Sequence, residues 1–305
     1  MRVGVVGAGA MGGYVAGALA RAGNPVTIID VGPHLDAIRK NGLTVKSHWG
    51  DYVVKVSATD DPSTAGVQEL VLLSVKTYHN PLVLPRIAPL VGDNTTVLTL
   101  QNGLGNYEAV AQQFGARALT GAIYIETNVE APGVIHQQGD VVRMVTGEQD
   151  GHVTPRMKLI QETFAAAGIE TEVAGNIQAA LWTKFIFVTA LAGITAAART
   201  RWGQLIQHPE MRQLLADVLR EIETVARARG VALDADVVPQ TIAYFESSAA
   251  DLLASLHMDL EAGRPLELET LTGVVVRLGR EAGVPTPVNQ TIYALLVPFA
   301  QGVKR

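Results

Sequence analysis

A short β-prone run, Val3 to Val6, delivers the chain into Gly7-Ala8-Gly9-Ala10-Met11-Gly12, and an alanine-rich helical stretch, Gly13 to Ala22, follows at once. This order constrains the fold more than any other feature. A G-x-G-x-x-G spacing alone says little. Set between a strand and a helix, it reads as the phosphate-binding turn of a dinucleotide fold. Gly7 permits the tight turn, Gly9 lets the backbone approach a pyrophosphate, and Gly12 lets helix and strand pack closely. The N–H groups at the helix start face the anion. Gly7, Gly9, Ala10, Met11 and Gly12 are therefore the expected cofactor-binding positions.

Asp30 closes a second apolar run, Val26 to Ile29, 18 residues past Gly12. A carboxylate at the end of the second strand accepts hydrogen bonds from an adenosine ribose and repels a 2′-phosphate. The nearest downstream bases, Arg39 and Lys40, fall on what reads as the next helix. NAD is therefore expected over NADP. A solvated turn aspartate before Gly32-Pro33 is the plainer reading of the same residue.

A chain of 305 residues is long for one core, so two domains are expected. With 48% hydrophobic and 17% charged residues, the composition is that of a soluble globular protein. The net charge of −5, without a basic cluster, argues against nucleic acid as a partner. With no cysteine there is no disulfide, thiolate metal site or cysteine nucleophile. Scattered histidines point to no metal site. The apolar N-terminus is broken by glycines and runs straight into fold sequence, so no signal peptide is expected. No charge-free run suggests a membrane span, and a cytoplasmic enzyme is the default.

Strand-like and helix-like runs alternate through the first half. Val71 to Val75 and Thr96 to Leu100 read as buried strands, with Pro81 to Leu90 as the crossover helix between them. Further strands are expected within Gly121 to Val129 and Gly133 to Val145, a helix at Thr154 to Ala167, and a last short strand at Glu170 to Val173. From Asn176 onward only helical periodicities remain: Ile177 to Ala198, Glu210 to Arg229, Pro239 to Leu256, Leu268 to Ala282 and Asn289 to Gln301. The expected architecture is an α/β chain: a Rossmann-type domain with a parallel-type sheet over residues 1–175, and an all-α substrate domain over 176–305. The active site is expected in the cleft between them. The apolar helices of the second half suit a homodimer and core burial equally.

Hydride transfer to a carbonyl needs a positioned acid. Lys184, in LWTKFIFVTALAGITAA, lies in a helix almost free of other charge. It must either snorkel to an edge or face a polar cleft, where desolvation would lower its pKa. Glu267, in GRPLELETLTG, could orient it or bind a substrate hydroxyl; Glu269 competes for that role, and acids are common at helix starts anyway. Ser255 is a candidate carboxylate donor or a routine helix serine. Lys76 and Asn102 each follow a buried strand, where ligands bind in such sheets. Both also read as loop residues. Gly103 and Gly105 suggest close backbone approach beside Asn102.

The segments GAGAMGG, SVKTYH, LQNGLGN, LWTKF and SLHMDLEAGRPLELETLTG occur in the order seen in ketopantoate reductases (2-dehydropantoate 2-reductases), and the chain resembles that family over essentially its whole length. The resemblance implies a Rossmann domain joined to a helical domain like that of 6-phosphogluconate dehydrogenase. It also implies NAD(P)H-dependent reduction of a 2-oxo acid to an (R)-2-hydroxy acid, with ketopantoate the namesake substrate. On this resemblance Lys184 matches the catalytic lysine, the proton donor, and Glu267 the glutamate that assists it and binds substrate. Asn102 matches the asparagine beside the nicotinamide, Lys76 the lysine after the third strand near the cofactor, and Ser255 the serine that contacts the substrate carboxylate.

Three positions depart from the family pattern. Asparagines four and eight residues after the catalytic lysine, on one helical face, are here Val188 and Ala192. A third, in an Asn-Gly-Glu-Leu-like segment, matches Trp202. An apolar lining favours apolar substituents, so the alternative substrate is a less polar, even aromatic, 2-oxo acid, as in NAD-dependent D-2-hydroxyacid (mandelate-type) dehydrogenases. A non-catalytic NAD-binding sensor is the reading from a different class; the joint presence of Lys184, Glu267 and Asn102 argues against it.

Overall fold

The structure, a computed structural model, describes residues 1–247 and 252–302. The chain divides into two compact units: Met1–Gln101 with Gly105–Ile177, and Asn102–Leu104 with Gln178–Arg305.

The first unit is built on one ten-stranded sheet. Its elements begin β1 (Val3–Val6), α1 (Ala10–Arg21), β2 (Val26–Ile29), α2 (Gly32–Asn41), β3 (Leu43–Lys46), β4 (Tyr52–Val54), β5 (Ser57–Thr59) and β6 (Gln68–Leu73). They continue with α3 (Asn80–Arg86), β7 (Val91–Thr99), α4 (Asn106–Phe114), β8 (Ala118–Ala131), β9 (Val134–Gly147), α5 (Pro155–Ala166) and β10 (Glu170–Val173). The strand order is β4-β3-β9-β8-β7-β6-β1-β2-β5, with β10 beside β9. From β8 through β7, β6 and β1 to β2 every pairing is parallel, whereas β8–β9 and β3–β4 are antiparallel.

Parallel strands are covered on both faces, so they read as unbroken apolar runs. In β6, Leu70 and Leu72 enter the core beneath α1, while Val71 and Leu73 enter a second core with Val110 and Phe114 of α4. The crossover expected over Pro81 to Leu90 is shorter: α3 ends at Arg86 and a separate 3-10 turn spans Ala88–Leu90. Two prolines, Pro85 and Pro89, remove the donors that a longer helix would need.

The second unit is helical: α6 (Ile177–Ala198), α7 (Trp202–Leu205), α8 (Pro209–Ala228), α9 (Val237–Ser247), α10 (Ser255–Glu261), α11 (Thr272–Ala282) and α12 (Pro287–Leu296). By length and composition α6 could cross a membrane, but 61% of its most apolar window is buried inside the fold, as in a core helix. Ile186, Leu219, Phe245 and Val275 from four helices meet in the core of this unit, each side chain contributing about 1.5–3 kcal/mol by burial. Glu221 of α8 accepts the N–H groups of Val288 and Asn289, 2.8 and 2.9 Å away, and so satisfies the start of α12. The single helix expected over Pro239 to Leu256 is interrupted: residues 252–254 are not helical, and α10 starts at Ser255. Residues 248–251 of that expectation lie outside the described residues.

Candidate active site

In the first unit, the glycine loop is held by sterics that admit no side chain. Gly7 has φ +91°, and a Cβ there would lie 2.7 Å from the Val75 nitrogen. A Cβ on Gly12 would lie 2.1 Å from the Gly7 carbonyl oxygen and 2.3 Å from Ser74 Oγ. Ser74 Oγ itself donates to that carbonyl at 2.6 Å, fastening the loop to the end of β6. Gly9 differs: a Cβ there would meet nothing within 4 Å. Protein packing therefore does not demand glycine at this position, whereas close approach by a phosphate would. Helix α1 starts at Ala10, earlier than the sequence suggests, and its first bond runs from Gly13 N–H to Gly9 O at 2.7 Å. The N–H groups of Ala10, Met11 and Gly12 precede the first intrahelical donor, Gly13, and lie at the positive end of the helix dipole.

Asp30 reaches back onto this loop. One carboxylate oxygen accepts the Ala8 N–H at 2.6 Å and the other accepts the Val31 N–H at 2.7 Å. Its negative charge is thus fixed at the tip of β2. The two bases expected nearby are differently placed: Arg39 is paired with Asp60 and donates to Ala58 O at 3.1 Å, while Lys40 is exposed. Val31, next to Asp30, is apolar and 64% exposed.

Lys76 follows β6 as the half-buried residue that opens a 3-10 turn at Thr77–His79. Sequence reasoning missed the polar brace beside it. Gln101 Nε2 donates to Val75 O and to Asn80 Oδ1, each at 2.7 Å, and Thr99 Oγ1 donates to Gln101 Oε1 at 3.0 Å. The only sequence cue was that Gln101 adjoins Asn102 at a strand end.

In the second unit, Lys184 Nζ donates to Asn102 Oδ1 at 2.7 Å. Burial pulls the lysine pKa down to about 8, because an ammonium in apolar surroundings loses hydration. Asn102 is held by its own segment: the Leu104 N–H donates to Thr270 O at 3.1 Å. Gly103, with φ +91°, lies so close to Thr270 that a Cβ would sit 2.3 Å from that carbonyl oxygen. Thr270 belongs to the stretch that carries Glu267, and its Oγ1 donates to Glu267 O at 3.4 Å. Glu267 is buried, whereas its competitor Glu269 is exposed and accepts the Tyr293 hydroxyl at 2.7 Å.

Ser255 is the exposed first residue of α10. Val188 is half-buried on α6, and Ala192, one turn on, is 1% exposed. Trp202 is wholly buried; its indole N–H donates to Phe245 O at 2.9 Å and its ring packs 4.7 Å from the Phe245 ring. Ala192 and Trp202 are thus built into the helical core, with the one polar group of Trp202 already satisfied.

Comparison with known proteins identifies the family of this fold. A sequence model of ketopantoate reductase PanE/ApbA matches residues 3–151, and one of the C-terminal part of the same family matches residues 176–299. The 2-dehydropantoate 2-reductase of Halobacterium salinarum is 32% identical, with 99% of each chain covered. The crystal structure of a PanE/ApbA family ketopantoate reductase from Ralstonia eutropha superposes with a TM-score of 0.91 at 32% identity, covering 98% of both chains. A D-mandelate dehydrogenase, solved with NADH and anilino(oxo)acetate, has the same fold at TM-score 0.91 and 22% identity, covering 98% of both chains. The matches to both halves of the chain lead to one assignment: this chain belongs to the ketopantoate reductase family, oxidoreductases that act on CH–OH groups.

Proposed function

We propose that this chain reduces a 2-oxo acid to the (R)-2-hydroxy acid, with Lys184 as the proton donor and ketopantoate as the leading substrate. The observation that carries the proposal is the 2.7 Å bond from Lys184 Nζ to Asn102 Oδ1, on a lysine whose pKa is about 8. Such a group is largely protonated at neutral pH yet gives up its proton readily. A nicotinamide cofactor, held by Gly7, Gly9, Ala10, Met11 and Gly12, supplies the hydride when bound. As the substrate carbon gains that hydride, Lys184 delivers a proton to the carbonyl oxygen, and an alcohol forms without a free alkoxide. Asn102 aims the ammonium. Buried Glu267 assists it and receives substrate polar groups, and Ser255 meets the substrate carboxylate. Lys76 lies on the cofactor side.

Asp30 favours NAD over NADP in this reading. Its carboxylate is pinned to the loop by Ala8 and Val31, and Arg39 is committed to Asp60. A 2′-phosphate at that place would meet a fixed negative charge.

A second reading concerns the substrate. Val188, half-buried on α6, replaces a polar residue of the family pattern, which favours an apolar or aromatic 2-oxo acid; Ala192 and Trp202, expected as further lining, belong to the helical core and add nothing to this reading. Initial rates with ketopantoate, 2-oxoisovalerate and phenylglyoxylate, each with NADH and with NADPH, test both readings. The expected outcome is NADH-dependent turnover of ketopantoate; phenylglyoxylate or the branched acid reduced at least as well would favour the second reading. Strong NADPH-dependent reduction of ketopantoate alone would remove the second reading and the preference for NAD. Lys184→Ala should abolish turnover while NADH still binds; activity retained in that variant refutes the proton-donor role. Tight NADH binding with no turnover on any acid would favour an NAD sensor.

A further inference from the structure

A cavity of about 390 Å³ opens in the first unit, away from the glycine loop. Sheet topology places it. β9 runs against β8, and β3 runs parallel to β9, so β3 runs against β1. The loop that leaves β3 therefore lies at the edge of the sheet opposite the glycine loop. Tyr14, Ala18 and Arg21 recur along α1 at helical spacing, share one face, and line the cavity together with Ser47, Trp49 and Tyr52. Arg21, at the end of α1, lies about 16 Å along the axis from Ala10.

Ser47 spends its hydroxyl on Gly50 O and the Trp49 N–H, but three other polar groups of this cavity are unspent. Tyr14 is 5% exposed, yet its hydroxyl makes no hydrogen bond with a described residue, and neither does that of Tyr52. Neither oxygen is sealed off: they are absent from the fully enclosed, unpaired polar atoms of the structure. Burial pushes the Tyr52 phenol up to about 12 and raises that of Tyr14 as well, so both remain hydroxyl donors at neutral pH. The Arg21 guanidinium lies 4.6 Å over the Tyr52 ring and forms no ion pair among the described residues. It is the one charged side chain lining the cavity. Trp49, half exposed, adds an aromatic face. A basic residue at the end of α1 complements the helix dipole, but that does not account for two unpartnered phenols beside it.

We propose that this cavity is a second binding site, separate from the catalytic one, for a small planar aromatic carboxylate. The single positive charge, fork-shaped and planar, matches one carboxylate. The two phenols donate to the same anion, and Trp49 stacks on the ring. The volume is at the small end of the range for such ligands.

The test is ¹⁹F NMR of 4-fluorobenzoate with the full chain, with and without saturating NADH, using 4-fluorobenzyl alcohol as the neutral control. Saturable binding of the acid is expected, indifferent to NADH and preserved in Lys184→Ala. Arg21→Gln should weaken it at least about tenfold, the worth of one charge-assisted contact, and Tyr14→Phe should weaken it less. Both variants should keep the melting temperature of the parent, because Arg21 is exposed and Tyr14→Phe preserves the ring. The proposal is overturned by any of four results: no saturable binding, equal binding of the alcohol, indifference to Arg21→Gln, or displacement by NADH. Loss of binding in Lys184→Ala also overturns it, since the probe would then occupy the catalytic site. None of these outcomes depends on whether the chain reduces 2-oxo acids.

Discussion

A lysine on an apolar helix is an expensive residue, and the sign of its cost can be worked out. Lys184 titrates near 8 in the folded chain and near 10.5 when unfolded. Between those values the unfolded chain binds the extra proton, so stability rises with pH across that window. The penalty is full below about 8 and gone above about 10.5. Lys184→Met should therefore be more stable than the parent at pH 7, by about 1 kcal/mol, and lose that advantage by pH 10.5; urea unfolding at the two pH values checks this. Catalysis follows the same proton. If the ammonium is the acid, reduction falls as pH rises through about 8. Asn102 accepts a hydrogen bond from the charged form, so Asn102→Ala should move the falling limb of kcat to lower pH. A limb that stays in place in that variant would mean Asn102 does not tune the lysine. Lys184 was legible because a charge interrupts an apolar run. Its acceptor is 82 residues away, and no local pattern could reveal that bond.

Among the elements, the legible parts were those with strong periodicity. β1, β2, β10 and α6 start and stop where the sequence suggests. β3 to β5 were missed, being three or four residues each with mixed polarity, too short for a pattern to emerge. The break between α9 and α10 was missed because the apolar spacing continues through residues 237–256 without a proline or glycine after Pro239. Glycines tell a similar story at loop scale. Gly7 and Gly12 could be assigned from the motif, but Gly103 could be read only as close approach to something. Its neighbour is the Thr270 carbonyl. Gly103→Ala combines a positive φ with a backbone clash and should cost about 1–3 kcal/mol. It should also displace Asn102, so kcat falls at least about tenfold while Lys184 remains in place. A variant with a lowered melting temperature but unchanged kcat would show that the clasp is only structural.

For the molecule as a whole, the cores are separate: Leu72 and Phe164 belong to one, Phe245 and Trp202 to another. A ligand that binds the glycine loop stabilises by mass action, about 2.7 kcal/mol at a hundred times Kd. Hydrogen exchange with saturating NADH should therefore slow in β1, α1 and β2, and the same slowing should survive in Lys184→Ala. Protection confined to residues 178–302 would place the cofactor elsewhere. The clasp at Gly103 has one more consequence, for dissection of the chain. Three residues, Asn102 to Leu104, are spelled in the middle of the first unit yet pack as part of the second. Order along the chain and membership of a body are different partitions here. A fragment cut near residue 176 would carry Asn102 away from Lys184, so coexpressed halves could regain the pair only by reassembling, and a swapped C-terminal half would inherit an asparagine it did not encode.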